Sequence, residues 1–160
     1  MPTATYTPLA TVTLASATST VTLSNIPASY RDLILVANCT AAVAGNIHLR
    51  LNADSGSNYS WVYMLGTLST TASGAGTDTG IFGGGVGTAV ITQSIFQLMD
   101  SSATDKHKTV LNRTAERDAA SYAWANRWAN TAAITSILVR MNNGSNFTAG
   151  SNFSLYGVIS

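Results

Sequence analysis

Short apolar segments alternate along this chain with clusters of Gly, Asn, Asp and Ser, at the spacing of strands joined by turns. Ten segments carry the pattern, at 11–14, 21–23, 32–38, 47–52, 60–65, 94–99, 108–113, 121–128, 134–141 and 152–159. The clearest alternation is 46–52: Ile47, Leu49 and Leu51 share one face and His48 and Arg50 the other, which predicts a strand with one core face and one wet face. The following residues, 53–58, hold the types that tolerate tight or left-handed backbone, so a hairpin into 60–65 is expected. In 152–159 apolar residues fall on both parities, as in a strand covered on both sides. Helix signals are weak. The one ambiguous stretch is 115–133, where Trp124 and Trp128 share a face at either helical or strand spacing and the alanines favour helix; a strand over 121–128 is the reading adopted.

Residues 67–87 break the pattern. They are rich in Gly, Ser and Thr, and predict a long mobile loop, or an arm that orders against a partner. The whole reads as all-β: one antiparallel β-sandwich domain over 1–160, jelly-roll-like, with a flexible loop at about 67–87.

Composition sharpens this. The chain has 160 residues, enough to bury a core without staples, and 46% of them are hydrophobic while only 9% are charged. A surface so poor in charge must be coated with Thr, Ser, Asn and Gly, which favour strands and turns. The formal net charge is +1 with no run of either sign, which argues against a nucleic-acid partner. No apolar run approaches the roughly 20 residues of a membrane-spanning helix. The first residues, 1–6, carry neither a basic nor an apolar leader segment, so no signal peptide is expected.

Candidate chemistry is sparse. Cys39 is the single cysteine, which excludes an intrachain disulfide and reads as a small buried hydrophobe. The glycine run at 83–87 is followed by no Lys-Ser or Lys-Thr pair, so it is not a phosphate cradle. His48 and His107 belong to no nucleophile signature and read as surface histidines. Asp100 and Asp105 bracket a turn, and Glu116 and Asp118 flank Arg117 as solvated ion pairs. Asp54, Ser55 and Asn58 supply oxygens but too few carboxylates for calcium. Glycosylation sequons, for example at Asn38 and Asn58, arise by chance in a chain this rich in Asn, Ser and Thr. No catalytic, cofactor-binding or metal-binding residue is assigned. Trp61, Tyr63, Trp124 and Trp128 are the candidate interface: exposed aromatics anchor protein contacts or stack on sugar rings, and the alternative is that they fill the core.

Two stretches carry a likeness: Val21-Thr22-Leu23-Ser24-Asn25-Ile26-Pro27-Ala28-Ser29-Tyr30-Arg31-Asp32-Leu33-Ile34-Leu35-Val36, and Phe153-Ser154-Leu155-Tyr156-Gly157-Val158. Between them lie Leu49-Arg50-Leu51-Asn52-Ala53-Asp54-Ser55-Gly56-Ser57-Asn58-Tyr59 and Ala132-Ala133-Ile134-Thr135-Ser136-Ile137. This order resembles small structural proteins of tailed bacteriophages, especially of aquatic and cyanobacterial hosts, found as capsid cement proteins and as tail or fibre modules. The resemblance implies a jelly-roll sandwich seated on an assembled virion, often as a homotrimer, with no catalytic residues. Within it Arg31 and Asp32 read as a local structural pair. A chain of this length has no room for a fibre shaft, so the expectation is a non-enzymatic cement (decoration) protein on the capsid surface whose partner is the major capsid protein. The alternative is a tail or fibre module that binds host-surface glycan.

Overall fold

The structure, a computed structural model, describes residues 5–116 and 120–159. The N-terminal tetrapeptide and the Arg117–Asp118 ion pairing therefore lie outside the described residues. Twelve strands follow in order: β1 (Tyr6–Thr13), β2 (Thr20–Leu23), β3 (Asp32–Cys39), β4 (Gly45–Leu51), β5 (Tyr59–Thr67), β6 (Thr71–Asp78), β7 (Ile81–Val86), β8 (Thr92–Met99), β9 (Lys108–Glu116), β10 (Ala120–Trp128), β11 (Ile137–Met141) and β12 (Asn152–Val158). Among the described residues there is no helix.

The strands form two antiparallel sheets, an eight-stranded one in the order β1-β12-β3-β8-β9-β10-β5-β6 and a four-stranded one in the order β2-β11-β4-β7. Period-2 alternation sets which side chains face the gap between them. From the large sheet come Leu33, Leu35 and Ala37, Phe96 and Leu98, Val110, and Phe153 and Leu155; from the small one Val21 and Leu23, Ile47, Leu49 and Leu51, and Ile137, Val139 and Met141, all in one buried cluster. The all-β sandwich expected from the pattern is thus what the chain forms.

The ambiguous stretch is strand β10, in continuous register with β5 on one side and β9 on the other. Its alanines 123 and 125 sit on the outer face, where packing rather than helix propensity decides. On β12 the outward residues Ser154, Tyr156 and Val158 are half-buried.

The loop expected at 67–87 is a correction: most of it is β6 and β7. Glycine is depleted in strands because it has no side chain to pack, but it is the residue that fits where something else lies against the backbone. A Cβ on Gly74 would come 2.8 Å from the Tyr63 ring, and one on Gly76 would come 2.7 Å from Trp61. On Gly83 it would lie 2.5 Å from both Ile47 and Phe96, and on Gly84 2.5 Å from Thr114. The glycine run is therefore a close-approach strand, with β7 pressed onto the inner face of β9 and β10.

That contact explains a set of buried polar residues. β7 is the free edge of the small sheet, and the large sheet satisfies its backbone with side chains. Asn126 Oδ1 accepts from Phe82 N at 3.0 Å while its Nδ2 donates to Phe82 O at 3.0 Å, and Gly84 N donates to Thr114 Oγ1 at 3.1 Å. Thr114 spends its own hydroxyl proton on Asn112 Oδ1 at 3.0 Å, so the Ser94 hydroxyl must donate to Thr114 across their 2.8 Å contact. Asn112 Nδ2 ends the chain on Ile95 O at 3.1 Å. Paired in this way, four buried polar side chains bind one sheet to the other instead of destabilising the interior.

Candidate interaction surface

The four aromatic candidates divide into two groups. Trp128 is buried and stacks on Tyr59 at 6.3 Å with rings 13° apart. Its Nε1 donates to Asp54 Oδ2 at 2.7 Å, and the Tyr59 hydroxyl donates to Asp54 O at 3.1 Å and accepts from Leu51 N at 3.2 Å. These bonds hold the turn after β4, where Asn52 and Ala53 take left-handed φ of 51° and 58°. Trp124, also buried, joins half-buried Trp61 and Tyr63 in a second cluster, with Tyr63 and Trp124 4.7 Å apart and Phe82 stacked on Trp124 at 5.6 Å. Trp124 and Trp128 are consequently not the exposed contact residues expected of them. All four point inward because β5 and β10 carry their bulky parity toward the small sheet, so the core alternative holds for the two tryptophans of β10.

His48 is a second correction, for it is only 2% exposed. It projects from the expected wet face of β4, but the end of β6 and the turn at Gly80 fold over it. A Cβ at Gly80 would collide with the imidazole. Phe82 meets the ring edge-on at 5.0 Å, and Nε2 lies 3.3 Å from Asp78 Oδ1 without the alignment of a hydrogen bond. Burial, with smaller contributions from Arg140 and Arg50 and opposition from Asp78, lowers the imidazole pKa to about 4. The unfolded chain therefore binds a proton near pH 6.5 that the folded chain refuses until about pH 4. The stability linked to His48 is whole above pH 6.5 and is lost as pH falls through that window to about 4, amounting to about 3 kcal/mol. Urea unfolding of wild type and His48→Leu at pH 7 and pH 4 checks this: the wild type should lose more stability between the two, and parallel losses would remove the histidine from the account.

The remaining candidates are ordinary. Burial pushes the Cys39 thiol up to about 12, so it is inert at neutral pH. His107 is exposed. Both Asp54 oxygens accept from N–H donors, with Gly56 N at 2.9 Å and Asn58 Nδ2 at 3.1 Å on Oδ1, which suits a turn and not a cation. Burial acts to raise the Asp54 pKa, but these bonds and that from Trp128 outweigh it and leave the carboxyl below its ordinary range. Arg31 and Asp32 pair at 2.8 Å, and Asp32 Oδ1 accepts from Asp100 N at 2.8 Å, fixing a turn between strands. Among the described residues no cluster of His, Cys, Asp and Glu could hold a metal.

The surface that stands out is the outer face of the large sheet, on the parity opposite to the tryptophans. Two cross-strand rows run over it: Val36, Ile95, Arg113, Ala123, Met64 and Ser73, and beside them Ile34, Gln97, Leu111, Ala125, Val62 and Ala75. This face is concave. It forms two adjoining hollows of about 1080 and 740 Å³ that share Met64, Ile95, Arg113 and Ala123. Met64 is 68% exposed, Val62 52%, Leu111 41% and Ile95 37%, so the lining is apolar and open. Among the described residues Arg113 is the one charged residue lining either hollow, and it forms no ion pair with another of them. The sequence reading missed this face, although Ile95 beside Phe96 and Leu111 beside Val110 carry the signal for it. A strand apolar on both parities in an antiparallel sheet has a second apolar surface to cover.

No family model matches the chain, and no curated protein matches it. Among solved structures it aligns with a protein of unknown function from Shewanella oneidensis MR-1, at 9% identity and a TM-score of 0.25, over 96% of this chain and 75% of that one, a likeness too weak to carry any argument.

Proposed function

We propose that this protein is a non-enzymatic structural protein of a bacteriophage virion, a cement protein that binds assembled major capsid protein through the concave outer face of its large sheet. The observation that carries the reading is that face: two rows over six strands, apolar except at Arg113, Ser73 and Gln97, hollowed, open and bearing among the described residues a single cationic side chain. A monomer in solution gains nothing from such a surface, whereas a module fixed in an array loses little on desolvating it. The sequence likeness to virion proteins supports the same reading. In this role the chain acts mechanically, bridging neighbouring shell subunits and adding buried apolar area that resists their separation.

Quantitative mass spectrometry of purified particles tests the proposal, with the chain expected at a copy number near that of the major capsid protein; a handful of copies per particle would overturn it. Met64→Glu and Leu111→Glu, both at exposed positions, should lower occupancy on the shell at least tenfold while leaving the thermal midpoint of the free protein within a few degrees. The alternative, a tail module that binds glycan, draws on the polar groups of the same hollows, Gln93, Gln97 and Arg113, since Trp124 and Trp128 are sealed inside. Sugar binding abolished by Arg113→Ala would favour it.

A further inference from the structure

An antiparallel sandwich has sheet edges, and each exposes backbone donors and acceptors that invite another strand. Three of the four edges here are blunted by identifiable devices. β1 carries Pro8, which lacks an N–H, and a register break between Pro8 and Ala10. β2 is only four residues long. β7 is occupied by the Asn126 and Thr114 side chains.

β6 has no such protection. It runs eight residues, pairs with β5 in unbroken register, and contains no proline and no charge before Asp78 at its end. The hairpin bond from Thr67 N to Thr70 O, at 2.8 Å, makes that a bonded pair, and the antiparallel rhythm then alternates. The groups of Ala72, Gly74 and Gly76 turn toward β5, and those of Thr71, Ser73, Ala75 and Thr77 turn outward. Among the described residues no hydrogen bond within the chain reaches the outward set. Thr71, Ser73, Ala75 and Thr77 are all exposed.

The geometry points to β6 as a self-association edge: we propose that a second copy of this chain adds its own β6 antiparallel to the first, about a two-fold axis near Gly74. The edge is self-complementary in that arrangement. Thr71 comes opposite Thr77 of the partner subunit and Ser73 opposite Ala75 of the partner subunit, so every outward group meets one of its kind. Asp78 passes beyond the partner's strand and faces no like charge. The small side chains at the junction matter too. Met64 sits beside Ser73 and Val62 beside Ala75, and with only Ser and Ala at the seam no bulky or charged side chain stands between the two apolar faces. The outer faces of the two sheets become one continuous trough. An isologous contact of this kind closes at two copies. It stands in place of the homotrimer that the virion resemblance implies, is independent of what the trough binds, and is not tested by the particle copy number above.

Analytical ultracentrifugation of the full chain, with amide hydrogen exchange, is the test. A dimer is expected in which the amides of Thr71, Ser73, Ala75 and Thr77 exchange at least tenfold more slowly than in a dilute monomeric sample. Ala75→Pro removes one outward N–H without touching the β5 ladder and should give a monomer with an unchanged far-UV spectrum. If that variant fails to fold, Ser73→Glu and Ala75→Lys replace it: each alone should weaken the dimer, and mixing the two should restore it through facing opposite charges. A wild type that stays monomeric at millimolar concentration, a trimer, or a dimer whose β6 amides remain unprotected would each overturn the proposal.

Discussion

Gly83→Val is expected to cost the fold about 3 kcal/mol, in a chain whose glycine-rich run looks from its sequence like the most tolerant stretch. Even the Cβ of such a residue would stand 2.5 Å from Ile47 on the small sheet and 2.5 Å from Phe96 on the large one, both fully buried. Neither neighbour has an open side to move into, because both belong to the one packed cluster between the sheets. Overpacking of this kind costs about 1–3 kcal/mol when neighbours adjust, and the backbone of β7 cannot retreat without breaking the bonds Asn126 and Thr114 make to it. The contrast is Gly66→Ala, where a Cβ meets nothing within 4 Å and the change should be neutral or slightly stabilising. Urea midpoints of the two variants, at constant slope, decide the matter. If both shift equally, the glycine run is not a close-approach strand.

The same stretch marks where sequence reading stops. Ten strands are visible as apolar alternation because their neighbours are aliphatic and the pattern lies within each segment. β6 and β7 are not, because the reason for their glycines is held by Tyr63, Trp61, Ile47, Phe96 and Thr114, residues distant in sequence that press on the backbone. His48 fails for a related reason. Alternation correctly assigns its parity, but parity says which face a side chain takes and not whether something covers that face. Among the aromatics, Trp124 and Trp128 share a parity under either spacing, yet their burial follows from the small sheet lying over β10. The outer-face trough was half legible: Ile95, Leu111, Val62 and Met64 announce a second apolar parity, but only the sheet order brings them into two rows. The polar chain Ser94, Thr114, Asn112 was illegible, since its purpose is to meet β7.

Lys108 supplies the other large effect. It opens β9 on the inward parity, is fully buried, and its ammonium donates to three carbonyl oxygens, those of Ala103, Lys106 at 3.1 Å and Thr131 at 3.2 Å. Burial draws its pKa below that of an ordinary lysine, while Asp105 and Asp100 pull it back. The three carbonyls belong to the turn before β9 and the loop after β10, so one charge ties together two irregular segments that have no sheet partner. Ile134 N donates to Ser101 O at 2.8 Å, and Ser101 N to Arg31 O at 2.6 Å, so the tie extends to the turn that enters β3. Lys108→Met keeps the length of the stem and deletes only the ammonium, leaving buried acceptors unpaired. Hydrogen bonds to a charged donor are worth about 1.5–3 kcal/mol each, but the loops can relax toward water, so about 3–5 kcal/mol is the expected loss. The loss should also be local first, with the amides of Ser101 and Ile134 exchanging faster well before β3 and β12 lose protection. A destabilisation under about 1 kcal/mol, with those two amides still protected, would mean that the ammonium only replaces water at these carbonyls and that the loops are held by their own backbone bonds.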